Sequence, residues 1–337
     1  MGDFTSVRRT AWRRMSASGA KGTVRRGWAG RIAVLPVLGV LTAGALVAAA
    51  GPVPDSVIFI DRGKTYNDRG QWEAAIHELD RAVKLDPFSY NAYLNRGNSY
   101  RGKGDAEHAI QDYDEAIKLN PLGALAYLHR GKVYNDKGEY ERAIQDFDSA
   151  IRLDVTDANA FLNRGNSYRA LGDDERALQD YGQALKRNPN DAVTYINRGK
   201  VYNDRGQYDL AIKDFDKSIK LNPKDANAFL NRGNAYHGKQ RLDLAIQDYD
   251  HAIRLNKNDS VSFINRGKAY TDKGQYDLAI ADFDHAIELN PKDANAYLNR
   301  GNAYRAKGEE DRAMRDYDEA RKIQHPNDTV ASSAVGH

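Results

Sequence analysis

The sequence predicts an all-α repeat array, and three observations predict it. Arg-Gly recurs eight times at a spacing of 34 residues, with glycines at Gly63, Gly97, Gly131, Gly165, Gly199, Gly233, Gly267 and Gly301. Each interval holds two runs of apolar residues at helical spacing. In 90–121 these are Tyr93, Leu94, Gly97 and Tyr100, then, past Gly104, Ala109, Ile110, Tyr113, Ala116 and Ile117 before Asn120-Pro121. Third, the same positions return in every unit. Counting each unit from its first residue (Ser56 in unit one), position 11 is always Tyr and position 20 always Ala. A constant period of roughly 20–50 residues marks a unit that buries its apolar face only by stacking on copies of itself. Such a chain builds a long surface for holding something.

Taken in order, residues 1–31 are a basic leader, expected to be disordered, with eight Lys and Arg against one acid, Asp3. The whole chain has 50 basic and 47 acidic residues, which leaves 42 and 46 in residues 32–337, a net of −4. The repeats are therefore mildly acidic, and the nucleic-acid partner that a basic protein suggests is not expected. Residues 32–50 carry no charge. As a helix they would span about 28 Å, near the roughly 30 Å hydrocarbon core of a bilayer. We expect a transmembrane signal anchor here, with the N-terminus cytoplasmic and the repeats on the far side, the bacterial periplasm or its equivalent. Cleavage near Ala50, giving a secreted or periplasmic product, is the alternative. Residues 51–55 are the linker. The repeats occupy 56–327, as units 56–89, 90–123, 124–157, 158–191, 192–225, 226–259, 260–293 and 294–327. Residues 328–337 are a small polar tail, expected to be disordered. Cysteine is absent, so disulfides are excluded.

The length of 34, an aromatic four residues before Gly, Tyr three after it, then Ala, an aromatic, Ala and Pro resemble the tetratricopeptide repeat. The resemblance covers about residues 56–327. It implies a right-handed superhelical solenoid of eight helix-turn-helix repeats, here preceded by one hydrophobic helix. Departures are few: Gln240 replaces the interhelix Gly of unit six, and Val155 and Lys257 replace the closing Pro of units three and six.

One departure is systematic. Where the family usually has Leu before the Gly, this chain has Arg in every unit, with an acid at position 23. The two positions should face each other across the hairpin, which predicts structural pairs such as Arg96 with Asp112, Arg164 with Asp180 and Arg232 with Asp248. A basic ladder for an acidic ligand is the other reading. Position 28 is aliphatic in units one to seven and Arg321 in unit eight, so unit eight should cap the array.

A second period of two units overlies the first. Position 9 alternates Lys64, Lys132, Lys200 and Lys268 with Asn98, Asn166, Asn234 and Asn302, and position 2 alternates aliphatic with Asn. Duplication explains this without function, yet positions 2, 6, 9 and 13 form one helical stripe. Position 6 is Asn95, Asn163, Asn197, Asn231, Asn265 and Asn299 in six units. Asn is costly inside a helix, by about half a kcal/mol relative to Ala, while its amide matches the N–H and C=O of an extended peptide. This resembles the asparagine ladder on the inner face of tetratricopeptide superhelices that bind extended polypeptide. The expected peptide-binding set is thus these six Asn residues with Lys132, Lys200, Lys268, Asn98, Asn166 and Asn234. The family's carboxylate clamp is not expected, because Leu94, Leu162, Ile196 and Leu230 stand where it needs Lys.

No catalytic or metal constellation emerges. The eight His residues fall at scattered unit positions without ligand spacing, and no cofactor, small-molecule substrate or enzymatic activity is expected. The reading is a membrane-anchored scaffold whose concave face holds a partner peptide. A self-assembling structural module and a regulatory subunit of a separate membrane enzyme are the alternatives.

Overall fold

The computed structural model describes residues 53–325. The leader at 1–31, the hydrophobic segment at 32–50 and the tail at 328–337 lie outside the described residues. Among the described residues no helix is long and apolar enough to cross a membrane.

The described chain is a solenoid of sixteen α-helices without strands. They pair as α1 Asp55–Asp68 with α2 Trp72–Leu85, α3 Tyr90–Lys103 with α4 Ala106–Leu119, and α5 Ala124–Asp136 with α6 Tyr140–Leu153. Next come α7 Ala158–Ala170 with α8 Asp174–Arg187, α9 Ala192–Asp204 with α10 Tyr208–Leu221, and α11 Ala226–Gly238 with α12 Leu242–Leu255. The last pairs are α13 Ser260–Asp272 with α14 Tyr276–Leu289, and α15 Ala294–Ala306 with α16 Glu310–Gln324. Each helix packs most closely on its hairpin partner, and each second helix next on the first helix of the following unit. First helices of successive units also touch, so the first-helix face is the crowded, inner one.

Local chemistry sets the ends of these helices. Asp and Ser side chains cap many N-termini, as Asp105 does by accepting from the His108 N–H at 3.2 Å. The turn between paired helices needs a left-handed residue, which Gly supplies in seven units. In unit six Gln240 adopts that conformation instead, at φ 60°, a strain of about 1 kcal/mol.

The core follows the repeated small and aromatic positions. The position-20 alanines are fully buried, and so are the position-24 rings Tyr113, Phe147, Tyr181, Phe215 and Phe283. The Arg-Gly glycine makes room for the position-24 side chain of the facing helix, a ring in units two to eight and Leu79 in unit one. A Cβ on Gly97 would lie 2.7 Å from the Tyr113 ring, and one on Gly199 would lie 2.6 Å from Phe215. At the far end, Arg321 is exposed and reaches Asp318 at 3.4 Å.

Candidate functional site

The position-7 arginines lie between helices, away from the inner stripe. Arg96 donates from Nε and Nη2 to Asp112 at 2.8 and 2.7 Å, and from Nη1 to Asp80 of the preceding unit at 2.8 Å. Arg164 holds Asp180 at 2.8 and 2.7 Å, and Arg232 holds Asp248 at the same distances. In units three to eight the guanidinium also faces two rings of its own unit, as Arg232 does Phe229 at 5.6 Å and Tyr236 at 5.9 Å. The hydrogen bond to Asp248 holds the Arg232 guanidinium above its ordinary pKa, against the opposing pull of burial. A planar fork that grips one carboxylate with two donors and a second with a third explains why Arg, rather than Leu, fits here.

The inner face is built from the first helices. The six position-6 asparagines are all half-buried, and each has committed one amide N–H. In even units the bond turns back along the helix: Asn95, Asn163, Asn231 and Asn299 donate to the carbonyls of Asn91, Asn159, Asn227 and Asn295 at 2.6–2.7 Å. In odd units it crosses to the preceding unit: Asn197 donates to Asn166 Oδ1 at 3.0 Å and Asn265 to Asn234 Oδ1 at 3.1 Å. Their own Oδ1 atoms accept no bond among the described residues.

The position-9 residues are complementary. Asn98, Asn166 and Asn234 accept from the hydroxyls of Tyr113, Tyr181 and Tyr249 at 2.8–2.9 Å, which fills the oxygen and leaves the Nδ2 donors open. Lys132 and Lys200 are half-buried, while Lys268 is exposed. Burial, then the like charge of Arg101 or Arg169, lowers the pKa of Lys132 and Lys200. No carboxylate lies within ion-pair reach of these three lysines among the described residues. Beside them stand exposed aliphatics at position 2: Leu125, Val193 and Val261.

The two-unit period therefore has a chemical basis that sequence reading did not include. Position 24 is Tyr wherever position 9 is Asn, and Leu or Phe wherever it is Lys; the hydroxyl exists to meet the amide. A second coupling was also missed. Ser99 and Ser167 donate to Asn67 and Asn135 Oδ1 at 2.7 and 2.8 Å. In unit six Ala235 replaces that Ser, and the buried Asn203 Oδ1 has no partner. Near it, Asn203, Asn234, His237, Tyr249, Asn265 and Lys268 line a groove of about 330 Å³. A larger cavity of about 640 Å³ sits at unit one, around Val53, Ile58, Arg62 and the position-6 residue Asp61.

Among the described residues no group of three His, Asp or Glu side chains could hold a metal. His129, the position-6 residue of unit three, is kept neutral: burial, then Lys132 and Arg101, lower its pKa to about 3.

Comparison with known proteins agrees with this architecture. A family model described as TPR repeat matches residues 63–104, 199–240 and 267–308. Models described as Tetratricopeptide repeat match 94–158, 158–191, 226–259, 181–213 and 294–324. No curated protein matches the chain. Among solved structures, a tetratricopeptide repeat protein from Parabacteroides merdae is 24% identical, with a TM-score of 0.58 over 72% of this chain and 96% of that one. Pseudomonas aeruginosa pilF is 18% identical, with a TM-score of 0.58 over 65% of this chain and 97% of that one. YrrB, described as a TPR protein with an unusual peptide-binding site, is 26% identical, with a TM-score of 0.47 over 55% of this chain and 95% of that one.

Proposed function

The chain belongs to the tetratricopeptide-repeat family, and on that premise we propose that it is a membrane-anchored adaptor whose concave, first-helix face holds an extended peptide segment of a partner protein. Repeats of this family are non-enzymatic scaffolds for protein–protein interaction. The observation that carries the finer reading is the pattern of open polar atoms. Asn95, Asn163, Asn197, Asn231, Asn265 and Asn299 keep an open Oδ1, while Asn98, Asn166 and Asn234 keep open Nδ2 donors. An extended backbone needs acceptors for its N–H groups and donors for its carbonyls, and this stripe offers both. Lys132, Lys200 and Lys268 meet acidic side chains, and Leu125, Val193 and Val261 meet apolar ones.

The anchor is residues 32–50, whose nineteen uncharged positions support a single span with the repeats on the far side of the membrane. The test is to change Asn163, Asn197 and Asn231 together to Ala and measure partner capture by the full chain in mild detergent. The reading predicts a loss of capture with the melting temperature little changed, because Asn163 and Asn231 bond only within their own helices and Asn197 gives up a single bond to Asn166. Unchanged capture would remove the ladder from the account.

A further inference from the structure

The seam between units four and five carries an open guanidinium donor. In the other six seams, Nη1 of the position-7 Arg donates to an Asp at position 25 of the preceding unit. The bonds are Arg96 to Asp80, Arg130 to Asp114, Arg164 to Asp148, Arg232 to Asp216, Arg266 to Asp250 and Arg300 to Asp284. Position 25 of unit four is Gly182, and a Cβ there would meet no atom within 4 Å. Arg198 consequently bonds Asp214 alone, at 2.7 and 2.8 Å. Its Nη1 donates to nothing among the described residues.

The next helix carries a second, independent anomaly. On α10, Lys213, Lys217 and Lys220 lie at i, i+4 and i+7, hence on one face. They occupy positions 22, 26 and 29, and in no other unit do three Lys or Arg stand there. None of the three meets a carboxylate within ion-pair reach among the described residues. With Tyr195 and Arg198 they line a groove of about 420 Å³. Asp214 and Asp216 border it too, but Arg198 and Arg232 hold those carboxylates, so the groove is left positive.

We infer that this groove docks a carboxylate side chain of an acidic peptide segment, its oxygens taking the place beside Arg198 Nη1 that Asp fills in the other seams. The sibling seams identify the ligand group, because the same guanidinium atom in the same register closes on a carboxylate six times. The three lysines supply the attraction that draws a run of acids to it. The site lies on the second-helix side, apart from the asparagine stripe, and does not rest on the reading of that stripe.

The experiment uses the full chain in mild detergent and a fluorescein-labelled hexapeptide of alternating Glu and Asp, with binding followed by anisotropy at low salt. The wild type is expected to bind. Gly182→Asp supplies the missing acid from within and should weaken binding about tenfold, the loss of one charge-assisted contact. Gly182→Ala, which leaves Arg198 open, should bind like the wild type. Lys213→Gln with Lys217→Gln should also weaken binding. The Gly182→Asp loss should persist when Lys132 and Lys200 are changed to Gln, which separates this groove from the inner face. Absence of wild-type binding, or equal binding by Gly182→Asp and Gly182→Ala, overturns the inference. Inorganic phosphate that binds the wild type and not Gly182→Asp, while the peptide binds neither, overturns the carboxylate assignment.

Discussion

The seam between units four and five and the seam between units five and six differ chiefly in one side chain. Across the second, Arg232 grips Asp248 of its own unit and Asp216 of the unit before. Across the first, Arg198 grips Asp214 in the same way but faces Gly182. The hairpin pair is common to both seams and the inter-unit bond is not. Stacking continues through the gap all the same, with Tyr181 and Val201 buried together in one core cluster. Arg therefore closes each hairpin, while apolar packing joins the hairpins. The inter-unit bond can be given up at one seam without breaking the array, and that freedom leaves one guanidinium donor of Arg198 open for other use.

The largest effect should come from breaking the pair that both seams share. Arg232→Leu strands Asp248, whose side chain is 6% exposed, and should cost about 3–5 kcal/mol in urea unfolding. Arg198→Leu strands Asp214, also 6% exposed, and should cost nearly as much. The difference between the two measures the Asp216 bond, under about 1 kcal/mol because Asp216 is largely exposed. A negligible cost for Arg198→Leu would mean that the pair does not hold the hairpin.

A smaller effect sharpens the same contrast on the inner face, where unit three has His129 and most other units have Asn. Burial, then Lys132 and Arg101, depress the His129 pKa to about 3. A depressed folded-state value contributes stability above the ordinary pKa near 6.5 and loses it as pH falls from there toward 3. The wild type should therefore lose about 2 kcal/mol more than His129→Asn between pH 7 and pH 5. Urea titrations at the two pH values check this, and parallel curves would contradict it.

Sequence reached some of this arrangement and missed the rest for physical reasons. The period, the two helices per unit and the Gly turns are local, so they repeat visibly. Arg at position 7 and an acid at position 23 recur together, and in the structure they lie in hydrogen-bond contact. The acid at position 25 recurs as well, but its Arg belongs to the next unit, and a unit-by-unit reading does not cross that boundary. The Tyr–Asn coupling was present in the alternation, since position 24 changes in phase with position 9. It passes unnoticed because Tyr and Phe count alike as aromatic core. The committed N–H of each inner Asn could not be read at all, because side-chain rotation decides it.

The central claim is that the first-helix face holds the partner and the second-helix face does not hold that same segment. The direct test places a photo-crosslinking residue at Val193, exposed on the first-helix face, or at Leu210, exposed on the second helix. Each full-length variant is irradiated in intact membranes, and the crosslinked peptide is sequenced. The account predicts that Val193 captures a continuous extended segment of one protein and that Leu210 does not capture that segment. Capture of the same segment from Leu210 alone would contradict it.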